Sequence, residues 1–110
     1  MTEVTGTAAF GTSHTQDINT VSIAKTDLAV EGLTPTASNK AEGIIAALFK
    51  KWMPLFTADG YNSNLEQSIT ITYQQTSSGE RSDGTRVLVD AYLVEFTTID
   101  TRGGVDPDAM

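Results

Sequence analysis

No cysteine occurs in the chain, and histidine and tryptophan occur once each. Without thiols there are no disulfides and no thiolate metal sites, a usage that fits a reducing compartment. Basic residues are also few. Seven Lys and Arg stand against fourteen Asp and Glu, for a formal net charge of −7. Phosphate binding needs clustered Lys and Arg. The one adjacent basic pair, Lys50 and Lys51, falls near the end of a helical pattern, where cations oppose the macrodipole. Direct nucleic-acid binding is therefore not expected. No apolar run approaches the roughly 20 residues of a membrane span. The segment "MTEVTGTAAFGT" has neither a basic n-region nor an apolar h-region. The expectation is a protein made and used without a signal peptide, assembled in the cytoplasm or carried in a virion.

What is present is Thr, Ser, Gly and Asn in quantity, beside 39% hydrophobic and 19% charged residues in 110. That length fits one domain with a modest core.

Residues 1–36 are polar, Thr-rich and broken by Gly6, Gly11, Gly32 and Pro35. They read as an extended N-terminal arm with short strands, as around Val21 and Ile23. Residues 37–100 read as a helix plus β-hairpin body, and 101–110 as a polar acidic tail.

The clearest element is "NKAEGIIAALFKKWMPLF", residues 39–56. Ile44, Ile45, Leu48, Phe49 and Trp52 recur at the spacing of one helical face. That face is expected to pack on the sheet. Asn39 with Glu42 reads as a capping box, with Ser38 the other candidate cap. Pro54 should stop the helix near Trp52 or Met53. "TADGYNSN" then reads as a loop.

Residues 67–75 alternate strictly, with Ile69, Ile71 and Tyr73 on one side. In residues 86–98, Val87 and Val89 lie on one parity, and Leu88, Tyr92, Val94 and Phe96 on the other. Either a bulge near Asp90 and Ala91 switches the buried face, or the strand is covered on both sides. Between the strands, "QQTSSGERSDGT" reads as a long polar loop reaching a neighbouring subunit. The fold class expected is α+β: a small antiparallel sheet or partly closed barrel with one amphipathic helix, an extended N-terminal arm and a long β-hairpin.

Candidates for chemistry are few. Ser13, His14 and Asp17 can be written as a triad, but neighbours along one flexible segment make no rigid constellation. Asp59, Asn62, Asn64 and Glu66 form an oxygen-rich cluster of the kind calcium takes. A turn between helix and strand explains the same residues. No catalytic, cofactor or metal residue is assigned, and no cofactor is expected.

The reading these features support is a non-enzymatic structural subunit of a larger particle, such as a phage tail, head-completion or capsid-decorating component of a virion. Its partners would be copies of itself and other structural subunits. Glu80, Arg81, Asp83, Arg86, Tyr92, Val94 and Phe96 are the expected subunit interface. The alternative is a small homodimeric ligand-binding α+β module.

Overall fold

A computed structural model describes residues 4–97 and 107–109. It is an α+β chain with small antiparallel sheets. It divides into two compact units, Met1–Leu55 and Phe56–Met110.

The first unit begins with α1, Gly6–Phe10, capped by Thr5, whose Oγ1 accepts from Ala8 N at 3.1 Å. Strands β1, Thr15–Gln16, and β2, Val21–Ser22, pair antiparallel. A 3-10 helix, Lys25–Glu31, and α2, Ala41–Trp52, follow. These residues do not form an extended arm. Trp52 Nε1 donates to Ala9 O at 2.8 Å, and Phe10 meets the Trp52 ring edge-on at 6.3 Å. Leu28, on the 3-10 helix, is 1% exposed and is the most buried large side chain described. Gly11 at φ 96° sits where a Cβ would collide with Asp27. Asp27 Oδ2 in turn accepts from Ser13 N at 3.0 Å. A segment too polar to order itself thus gains order from one helix packed beside it.

The helix stops at Trp52, as Pro54 requires. Its start differs from expectation. Lys40 is the N-cap and makes no side-chain cap bond. Asn39 instead fastens the preceding loop, accepting from Thr36 N at 3.0 Å and donating to Thr34 O at 2.9 Å. The buried face also differs. Ala47 is 4% exposed while Ile45 is 62% exposed. Of the expected face, Ile44, Leu48, Phe49 and Trp52 are half-buried and only Ile45 is turned to solvent, so the inward side is shifted toward Ala47 without excluding the large residues. This side packs on the 3-10 helix and α1. Within the second unit, α3 packs on β3.

The second unit holds α3, Ala58–Ser63, where a loop was expected, then β3, Ile69–Glu80, and β4, Arg86–Phe96. Thr57 caps α3 by accepting from Gly60 N at 3.0 Å. Gln67 is buried, and its Nε2 donates to Thr57 O and Ile69 O at 2.8 and 2.9 Å. This fastens the entry of β3 to the segment before α3. Both sheets are two-stranded and open, so no barrel closes among the described residues. A short 3-10 turn spans Pro107–Ala109. No helix among the described residues is long and apolar enough to cross a membrane.

Candidate functional site

The β3–β4 hairpin is longer, and its loop shorter, than the sequence suggests. Gln75, Thr76, Ser77, Ser78, Gly79 and Glu80 are strand residues paired with 86–91, and the turn is confined to 81–85. Gly84 takes φ 87°, Gly84 N donates to Arg81 O at 2.9 Å, and Asp83 Oδ1 accepts from Thr85 N at 2.9 Å. The polar composition of 74–80 belongs to a solvated strand. Its partner β4 supplies the branched apolar residues that strand propensity relies on.

The register has one irregularity, between Tyr73 and Gln75, which leaves Gln74 as a bulge. It lies beside Ala91 and Tyr92, where a face switch was expected, but it is on β3 and not on β4. Its effect is to switch the parity of β3 alone. One face carries Ile69, Ile71, Tyr73, Tyr92, Val94 and Phe96, then Thr76, Ser78, Leu88 and Asp90. The other carries Thr70, Thr72, Leu93 and Glu95, then Gln75, Ser77, Ala91, Val89 and Val87. β4 therefore stays apolar on both faces along most of its length.

Burial is confined to the base. Thr70 and Ile71 are 8% exposed. Along β4, Leu88 is 76% exposed, Val89 and Phe96 49%, Leu93 45% and Val94 38%, so even at the base the partners of Ile69 and Ile71 remain partly open. Of the residues expected at an interface, Tyr92, Val94 and Phe96 share one face, with Tyr92 and Tyr73 edge-on at 5.6 Å. Glu80 and Arg86 are cross-strand neighbours at the tip, and Arg81 and Asp83 are in the exposed turn. Leu88, Val89 and Leu93 belong to the same exposed surface but were not among the expected interface residues. Their signal was the presence of apolar residues on both parities of β4, on either side of Asp90.

The edges of the ribbon differ. Ile71 N donates to Phe56 O at 2.7 Å, so the outer edge of β3 is partnered at its base. This bond also shows which backbone groups face outward. Ile71 opposes Val94, so Val94 is in a pair whose N–H and C=O point away from β3. Thr97 N donating to Ser68 O at 2.7 Å, and Arg81 N to Thr85 O at 2.9 Å, fix the same alternation at base and tip. Arg86, Leu88, Asp90, Tyr92, Val94 and Phe96 then all present backbone donors and acceptors on the outer edge of β4. Among the described residues no strand pairs with that edge. Asp90 does not guard it, because Asp90 Oδ1 accepts from Thr76 Oγ1 at 2.6 Å and Thr76 is further linked to Tyr73 OH.

The other candidates dissolve into local structure. His14 Nδ1 donates to Gly11 O at 2.8 Å, and its ring lies 5.8 Å from that of Phe10. Asp17 Oδ1 is occupied by Asn19 N and Thr20 N at 2.8 Å each, closing the β1–β2 turn. Ser13, His14 and Asp17 therefore form no triad. Asp59 is in the first turn of α3, and Asn64 Oδ1 accepts from Glu66 N at 3.1 Å. No group of His, Asp or Glu suited to a metal ion occurs among the described residues. A half-open cavity of about 240 Å³ lies between α3 and the hairpin base, lined by residues including Tyr61, Asn62, Thr72 and Glu95.

No protein-family model matches the chain, and no curated protein or solved structure matches it at a significant level.

Proposed function

We propose that the chain is a non-enzymatic structural subunit that builds a larger particle through its β3–β4 hairpin. The observation that supports this is the exposure of Leu88, Val89, Leu93, Val94 and Phe96 on one eleven-residue strand. A lone two-stranded ribbon is marginal in water. Full burial of one such side chain is worth about 1.5–3 kcal/mol. A strand that exposes several on both faces gains most when another chain covers it. Partners are copies of the chain and other structural subunits. The particle class we propose is a virion component, of the phage tail, head-completion or decoration kind, on likeness of architecture alone.

Light scattering across a concentration series, with electron micrographs of the purified protein, tests the reading. A ring, filament or defined oligomer is expected. A chain that stays monomeric at the highest soluble concentration overturns it.

The cavity beside α3 favours a second reading, a ligand-binding module. At about 240 Å³ it falls below the roughly 300–1,000 Å³ of small-molecule sites. A ligand-dependent rise in melting temperature is the result that would promote this reading over the first.

A further inference from the structure

We infer that the outer edge of β4 pairs with the same edge of a second copy, antiparallel and centred on Ala91, to make a continuous four-stranded sheet ordered β3-β4-β4′-β3′. The inference rests on the assembly reading above and names its contact.

Three observations carry it. The first is the asymmetry of the ribbon. The β3 edge is partnered at its base by Phe56 O, and its distal half is polar, Gln75 to Glu80, whereas no described strand pairs with the outer edge of β4, which carries apolar residues on both faces. The second is backbone phase. A two-fold antiparallel pair must set one residue against its own copy. With Ala91 at the centre, Asp90 meets Tyr92 of the second copy, Leu88 meets Val94 and Arg86 meets Phe96. These are the residues whose N–H and C=O face outward, so they form the hydrogen-bonded pairs. Ala91 meets itself in a non-hydrogen-bonded pair, where Cα atoms approach to about 4.5 Å and a small side chain fits best. Arg86 and Phe96 are the two ends of β4, so this register uses its whole length. At two bonds per pair, up to about a dozen backbone hydrogen bonds form.

The third observation is side-chain matching. On one face Leu88 opposes Val94, and on the other Val89 opposes Leu93. Glu95 opposes Val87, and no like charges meet. Neighbouring registers are worse. Centring on Asp90 sets two carboxylates face to face, which is destabilising. Centring on Tyr92 carries Arg86 past the end of the opposing strand. A foreign strand would need no such self-complementarity, so the second copy is the occupant.

The absence of native cysteine allows a clean test. Ala91→Cys should oxidise to a covalent dimer, because a separation near 4.5 Å lies within the disulfide range of about 4.4–6.8 Å. Val89→Cys alone should not, since its copy lies four residues out of register, about 13 Å away. Nor should Leu93→Cys alone. An oxidised mixture of the Val89→Cys and Leu93→Cys proteins should cross-link as a heterodimer. Leu88→Pro removes an outward donor while sparing the β3–β4 ladder. It should leave the circular dichroism spectrum unchanged and weaken association at least tenfold. If the wild type associates but neither Ala91→Cys nor the mixture cross-links, the edge pairing is wrong and the assembly reading stands. If the wild type is monomeric, both fall.

Discussion

Single side chains in the first unit carry unequal loads. Leu28 is enclosed by its neighbours, and Leu28→Ala should cost about 2–5 kcal/mol by urea unfolding, through lost transfer energy and the cavity left behind. Ile45 lies on the solvent side of α2, and Ile45→Ala should stay within about 0.5 kcal/mol. Equal losses at the two positions would show that the face of α2 is assigned wrongly. Asp17 gives a pH signature. The backbone N–H of Asn19, then that of Thr20, stabilise its carboxylate and hold it below the ordinary value of 3.8. A depressed folded value contributes stability above the unfolded pKa, which is lost as pH falls through the folded one. NMR titration of the Asp17 carboxyl carbon should give a midpoint below 3.8. A midpoint at or above that value would mean the turn bonds do not persist in solution. Asp83, bonded to Thr85 N, shifts in the same direction.

At the level of elements, the bulge at Gln74 makes a prediction that ordinary strand residues do not share. It is the extra residue between Tyr73 and Gln75, so deleting it leaves every cross-strand pair and every face as it is. The Gln74 deletion should therefore keep cooperative thermal unfolding. Deleting Leu93 from β4, which carries no extra residue to absorb the loss, turns Val94 and Phe96 to the face opposite Tyr92. That variant should lose its cooperative transition by circular dichroism. If the two deletions behave alike, the register is not the one described.

For the whole molecule, charge and apolar surface act against each other. Copies carrying −7 repel at low ionic strength. Screening shortens from about 30 Å at 0.01 M to about 8 Å at 0.15 M. If association runs through β4, adding salt over this range should tighten it severalfold in sedimentation experiments. Weakening by salt would instead assign the contact to ion pairs of Glu80, Arg81, Asp83 and Arg86 at the tip.

Much of this architecture is written locally. The end of α2 follows from Pro54, which cannot continue a helix, and β3 begins with an alternation that admits one register of faces. The apolar residues on both parities of β4 already implied either a bulge near Asp90 and Ala91 or a strand covered on both sides, and the one irregularity found lies opposite, on β3. The N-terminal segment was legible only as a short strand at Val21. Thr5 as a cap and Leu28 as a core residue are weak signals until Trp52 and α2 supply their partners. The face of α2 was legible only in part, because periodicity groups Ile45 with Ile44, Leu48 and Trp52, whereas packing against the 3-10 helix buries Ala47 and leaves Ile45 in solvent. Residues 74–80 looked like a loop because their side chains are polar. They are a strand because backbone pairing depends on the partner, and β4 is long enough to hold them to Glu80. Local patterns thus set where elements start, stop and alternate. Pairing and packing between distant segments decided which faces are buried and which edge was left open.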